Sequence, residues 1–250
     1  MDLGLDGRTA AVAGASSGLG LASARALAAE GVRVAICGRD RARIEAAAAT
    51  VDGAVPLVAD VSTTGGASGF VAAAAEALGQ VDILVPNAGG PPPGDFASTP
   101  LDAYAPALEL NLLSTVAMCE AAVPAMCARG WGRVVAITSV SVRQPIPQLI
   151  LSNTARAGVT AFLKTLALEV ADRGVTVNSV QPGLHATDRA RRLYGDDPEA
   201  QASAAAGLPV GSFGDPDDFG AVVAFLCSEQ ARFVVGAALP VDGGTYRGLQ

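Results

Sequence analysis

Seven short apolar or β-branched runs recur between longer Ala/Leu-rich stretches, near Thr9 to Ala13, Arg33 to Ile36, Ala54 to Ala59, Ile83 to Val85, Arg133 to Thr138, Thr176 to Val180 and Ala238 to Val241. This alternation constrains the fold more than any other feature. A strand, a helix and a further parallel strand bury a sheet through right-handed crossovers, and a bundle or sandwich has no such order. Several runs lack period-two alternation, as strands covered on both faces do. The expectation is an α/β fold, a doubly wound parallel sheet of about seven strands with helices on both faces.

The first helix, in "LGLASARALAAEG", sets Leu19, Ala22, Ala26 and Ala29 along one stripe and stops at Gly31, a residue suited to the position past a helix end. Further helices are expected over Arg41 to Thr50, Gly66 to Leu78, Leu101 to Arg129, Ser152 to Ala171 and Pro216 to Ser228. The 250 residues, half of them hydrophobic, suit one core, so residues 1–250 read as a single domain. The segment from about 185 to 214 is the irregular insertion, and its Arg189, Arg191 and Arg192 and its Gly/Pro-rich end suit a lid over a pocket. Within it, Asp197 and Pro198 read as a helix start rather than a cation site.

A net charge of -7 lacks the clustered cations that phosphate backbones require, which argues against nucleic acid as a partner. The acidic amino terminus and the interrupted apolar stretches point to a cytoplasmic protein without a membrane span. Cys37, Cys119, Cys127 and Cys227 are scattered in apolar segments and read as reduced core thiols. With one histidine, His185, and no paired thiols, no metal site is expected.

The first strand runs into Ala13-Gly14-Ala15-Ser16-Ser17-Gly18-Leu19-Gly20, which opens the first helix. Glycines there permit a tight turn and close approach of a pyrophosphate, and the helix amino end offers N–H groups to it. The spacing, with three residues between Gly14 and Gly18, resembles the glycine motif of the short-chain dehydrogenase/reductase family. Further matches follow in order: Asp60-Val61 resembles the adenine-contacting pair, Asn87-Ala88-Gly89 the NAG motif, and Asn111 in "LNLLS" the catalytic-helix asparagine. Ser139, closing "GRVVAITS", resembles the active-site serine, Pro182-Gly183 the turn beside the nicotinamide, and "VDGG" at 241–244 the closing motif. The resemblance spans nearly the whole chain and implies a Rossmann-type dinucleotide fold. "NAGGPPPG" and "RQPIPQLILSN" are similar to a divergent branch labelled β-ketoacyl (3-oxoacyl) acyl carrier protein reductase-like. Related proteins commonly form homodimers or homotetramers through the two long helices.

An acid at the end of the second strand would hold ribose hydroxyls and repel a 2′-phosphate; this chain has Gly38 there, followed by Arg39, whose planar fork suits that phosphate. NADP(H) is therefore expected over NAD(H). In the family a tyrosine about thirteen residues after the serine moves the proton, and a lysine four residues later holds the ribose. The matching positions are Ser152 and Arg156. A serine hydroxyl does not ionise usefully and ends well short of a phenol, and a guanidinium shuttles no proton at neutral pH. Four residues apart on a helix, the two still share a face.

The catalytic candidates are thus Ser139, Asn111, Ser152 and Arg156. Other proton sources are His185, Tyr194 in the lid, or Ser139 with an ordered water. Ser141, Arg143, His185 and Tyr194 are the candidates for lining a substrate site, with Arg143 suited to a carboxylate or phosphate. Arg129 and Arg173 are candidates for receiving an acyl carrier protein. The expected activity is an atypical NADP(H)-dependent oxidoreductase acting on a carbonyl, alcohol or acyl-thioester substrate. A non-redox isomerase, dehydratase or cyclase and a catalytically silent nucleotide-binding protein are the alternatives.

Overall fold

The computed structural model describes residues 2–188, 190–191 and 197–249. Seven parallel strands form one sheet: β1 (Thr9–Val12), β2 (Arg33–Gly38), β3 (Val55–Val58), β4 (Ile83–Val85), β5 (Gly132–Ile137), β6 (Val175–Pro182) and β7 (Ala238–Val241), in the order β3-β2-β1-β4-β5-β6-β7. The alternation in the sequence thus becomes the doubly wound parallel sheet it implies. β1, β4 and β5 are buried throughout, whereas β3 alternates half-buried and exposed residues as an edge strand does. Pro56 is tolerated there because one side of an edge strand needs no ladder donor.

The helices are α1 (Gly18–Ala29), α2 (Arg41–Ala48), α3 (Thr64–Leu78), α4 (Tyr104–Leu108), α5 (Ser114–Arg129), α6 (Ile150–Val170), α7 (Pro198–Ala206) and α8 (Pro216–Cys227). One face of the sheet packs Phe70, Met118, Met126 and Leu163 from α3, α5 and α6. The other packs Leu27, Ile44, Phe219 and Leu226 from α1, α2 and α8. α3 begins two residues earlier than expected because Thr63 accepts from the Gly66 N–H at 3.1 Å.

Three expectations need correction. The helix expected over 101–129 is composite: a 3-10 turn at Leu101–Ala103, then α4, then a π-helical turn at Glu109–Leu113, then α5. By length and composition this stretch would cross a membrane; in the fold half of its most apolar window is buried, with α5 packed on α3. Segment 185–214 is not wholly irregular, since it contains α7, which Asp197 caps by accepting from the Glu199 N–H at 3.0 Å. Arg189, Arg192 and Tyr194 lie outside the described residues. Cys37, Cys119 and Cys227 are buried free thiols, pushed up to about 12 chiefly by desolvation, but Cys127 is only half-buried.

The contact that seats the first helix is close enough to test. A Cβ on Gly220 of α8 would stand 2.4 Å from the Ala22 carbonyl oxygen of α1. Gly220→Ala should force these helices apart and cost about 1–3 kcal/mol. The urea midpoint should fall at unchanged slope; an unchanged midpoint would show that the pair has slack.

Candidate active site

The chain leaves β1 toward β2 and β3 and returns to β4 on its other side, so a crevice opens at the carboxyl ends of β1 and β4. A cleft of about 340 Å³ occupies it. Its walls include Gly14, Ser17, Gly18 and Leu19 from the first turn, Asn87, Ala88 and Gly89 after β4, and Ser139 after β5. Ser152 and Arg156 come from α6, and Pro182, Gly183, His185, Thr187 and Asp188 follow β6. Residues separated by more than a hundred positions are therefore brought to one cavity, as the motif order implies.

The glycine turn is built for close approach. Gly14 and Gly18 have φ of 56° and 59°, which a β-carbon disfavours, and a Cβ on Gly20 would lie 2.6 Å from the Gly14 carbonyl oxygen. Asn87 Nδ2 donates to the carbonyls of Ala13 at 3.3 Å and Gly14 at 3.1 Å, fastening the turn to the end of β4. Among the described residues no side chain caps the first turn of α1, so its N–H groups face the cleft end of a 12-residue helix. A smooth backbone surface with uncapped N–H groups fits the pyrophosphate of a dinucleotide.

Ser16, Arg39, Asp60 and Val61 lie beside this cleft rather than in its wall, at the ends of β1, β2 and β3. A Cβ on Gly38 would come to 3.2 Å from Ser16 Cβ, so an acidic side chain there would crowd the turn. Hydrogen bonds from Ser62 hold the Asp60 carboxyl below its ordinary range, and the charge of Arg39 adds to them. Val61 is part of the core.

Ser139 caps the 3-10 turn Val140–Val142, its Oγ accepting from the Ser141 N–H at 3.1 Å. That bond uses an acceptor position and leaves the hydroxyl proton for donation into the cleft. Ser152 is buried in the second residue-pair of α6, and Arg156, one turn on, donates from a guanidinium nitrogen to the Ile137 carbonyl at 3.2 Å. The bond to the end of β5 fixes a permanent cation near Ser139. Asn153 holds the loop before α6 by bonding both backbone groups of Ile146, at 3.0 and 3.4 Å. In that loop Gln148 has φ of 63°, a strained value that precedes Leu149 in the cleft wall.

Asn111 sits in the π-helical turn and donates to the Gly89 carbonyl at 2.8 Å, joining the catalytic-helix position to the NAG turn from behind the cleft. Its buried Oδ1 has no hydrogen-bond partner among the described residues. His185 lines the cleft but is clamped: its ring meets Phe219 edge-on at 5.1 Å between centroids and stacks closely on Gly214. Burial lowers its pKa, and the 3.3 Å contact from Nδ1 to the Gly183 carbonyl puts the proton of the neutral ring on Nδ1. Nε2 is then an acceptor, which does not suit the donor role considered from sequence.

Arg143 and Ser141 are not in the cleft wall. Arg143 donates to Gln181 Oε1 at 3.0 Å and to the Ala238 carbonyl at 2.7 Å, so its fork is committed within the fold rather than offered to substrate. Ser141 is buried. Arg129, bonded to the Val81 carbonyl and paired with Asp82, and Arg173, bonded to Glu169, stand at the amino ends of the strands, away from the cleft. Sequence reasoning passed over Thr187, which faces the missing side chain of Gly18 at about 3.5 Å. Its place five residues after Pro182 was the available signal. Asp188 was passed over too; it pairs with Arg191 at the cleft margin.

Residues 14–246 match the family described as enoyl-(acyl carrier protein) reductase. The chain is 34% identical to dehydrogenase/reductase SDR family member 4 of Bos taurus over 250 residues, covering 98% of this chain and 89% of that one. It is 34% identical to L-rhamnose 1-dehydrogenase (NAD(P)+) of Azotobacter vinelandii over 252 residues, 97% and 98% of the two chains. L-sorbose reductase from Gluconobacter frateurii, solved with NADPH and L-sorbose, superposes with a TM-score of 0.93 at 32% identity over 100% of both chains. With its glycine turn, NAG turn and serine on one cleft, the chain belongs to the short-chain dehydrogenase/reductase family.

Proposed function

We propose that this protein is an NADP(H)-dependent oxidoreductase that reduces a carbonyl group, with Ser139 and Arg156 in place of a tyrosine-centred acid. The observation that carries this reading is the Ser139 hydroxyl, its oxygen held by the Ser141 N–H, on the same cleft as the amino end of α1. Gly14, Ser17, Gly18, Leu19 and Gly20 would hold the pyrophosphate, Asp60 and Val61 the adenine side, and Asn87, Ala88, Gly89, Pro182 and Gly183 the nicotinamide side. Arg39, with no acid at position 38, would hold the 2′-phosphate. When bound, NADPH supplies a hydride.

The chain's own part begins with Ser139, which donates to the substrate oxygen and orients the carbonyl. Charge that develops on this oxygen is stabilised by the fixed dipole of that O–H and by the Arg156 cation in a partly desolvated cleft. Ser152 shapes the space above Arg156 and leaves more room than a phenol would. Since neither residue gives up a proton near neutrality, the proton comes from water, or from Tyr194 if the 185–214 segment closes as a lid.

A second reading is favoured by the same Ser152: a site with donors but no ionisable acid also suits non-redox chemistry through an enolate. Product formed without any nicotinamide, and abolished by Ser139→Ala, would select it.

The direct assay is NADPH oxidation with ketones and β-ketoacyl thioesters. Ser139→Ala should lower kcat/KM about 100-fold, and absence of turnover despite proven NADPH binding would sink the redox reading. Arg39→Ala should weaken NADPH about 10- to 100-fold, as loss of charged hydrogen bonds does, and spare NADH; equal losses for both would refute the role of Arg39. Third, kcat/KM for reduction should stay flat from about pH 7 to 9.5, because Ser139 and Ser152 do not ionise, Arg156 stays charged and His185 titrates below its ordinary value. That is the outcome for water as the proton source; a limb falling near pH 9 that Tyr194→Phe removes would assign the proton to Tyr194.

A further inference from the structure

We propose that Arg143 is a positioning residue for Ser139, tying the turn that Ser139 caps to β6, β7 and the carboxyl-terminal tail. This rests on the reading of Ser139 as the site's hydrogen-bond donor.

Ser139 and Arg143 are the two caps of one 3-10 turn, Val140–Val142. Whatever fixes Arg143 therefore fixes the direction of the Ser141 N–H that holds Ser139 Oγ. Arg143 reaches three elements at once. Its Nε donates to Gln181 Oε1 at 3.0 Å, in β6, one residue before the Pro182-Gly183 wall of the cleft. A terminal nitrogen donates to the Ala238 carbonyl of β7 at 2.7 Å. The guanidinium also stands over the Tyr246 ring at 5.6 Å from its centroid, within cation–π range.

Gln181 is fully buried, and Arg143 is the hydrogen-bond partner of its carbonyl oxygen, while its Nε2 has none among the described residues. Because guanidinium only donates, the amide oxygen must face it, which sets the Gln181 orientation. The tail closes the same brace: Tyr246 N–H bonds Asp242 Oδ2 at 2.8 Å, and Arg247 N–H reaches Gln144 Oε1 at 3.4 Å. One planar fork thus links the serine turn and the opposite wall of the cleft. A lysine, a single point of charge, cannot span both acceptors in that geometry.

The test needs no turnover. In a full-length Cys127→Ser, Ser139→Cys protein the introduced thiol reports its own environment through its iodoacetamide alkylation rate, measured with and without NADPH beside a thermal melt. Arg143→Met and Arg143→Lys should each shift that rate by about fivefold or more. Gln181→Met should shift it in the same direction, and joining it to Arg143→Met should add little, since both break one brace. Gly220→Ala serves as the control for stability alone: it should lower the melting temperature without moving the rate. An unchanged rate in Arg143→Met, or full rescue by Arg143→Lys, would overturn the proposal. Failure of NADPH to protect the thiol would count against the proposed cofactor and leave the comparison of rates intact.

Discussion

The structure depends most on the seam between the ends of β1 and β4, where the Asn87 amide bonds the carbonyls of Ala13 and Gly14. A parallel sheet whose strand order reverses must part at that point, and the crevice is useful only if its two lips are held at a set distance. Gly20 completes the seam, because any side chain there would push on the Gly14 carbonyl. The turn is therefore narrow, its N–H groups stay uncapped, and the amino end of α1 faces open space. The α1–α8 packing behind it keeps the helix from withdrawing.

The other wall is built from polar groups that the fold itself holds in place. Ser139 caps its 3-10 turn, Asn111 bridges to Gly89 from a π-helical turn, and Ser152 and Arg156 lie on adjoining turns of α6. Position 152 carries an aliphatic hydroxyl, which does not ionise usefully. The cleft offers fixed donors and a fixed charge, so it can stabilise an oxyanion, but its described walls hold no group suited to giving a proton near neutral pH.

Much of this was legible from residues in order. The seven strands, the glycine turn and the positions of Ser139, Ser152 and Arg156 follow from local patterns, since strand periodicity and short motifs are properties of neighbouring residues. The roles of His185 and Arg143 were not legible in this way. Both sit near the cleft in sequence, yet Phe219 and Gly214 immobilise the first, and Gln181, Ala238 and Tyr246 occupy the second. The same holds at the amino ends of the strands, where the guanidiniums of Arg8 and Arg133 both stand over the Trp131 ring and its indole N–H donates to Glu229 Oε1 at 2.6 Å. No spacing in the chain announces that cluster.

By itself the sequence determined the fold class, the crevice and the aliphatic hydroxyl at position 152, because each rests on local backbone preference or on the identity of one side chain. Tertiary structure alone decided which polar groups remain available to a ligand. A donor or cation can serve a substrate only after the fold has met its own buried carbonyls and amides, and those partners come from distant strands. Ser139 emerges on the cleft with its oxygen held by the Ser141 N–H, Arg156 with its charge held at the end of β5, and Arg143 with its fork turned inward.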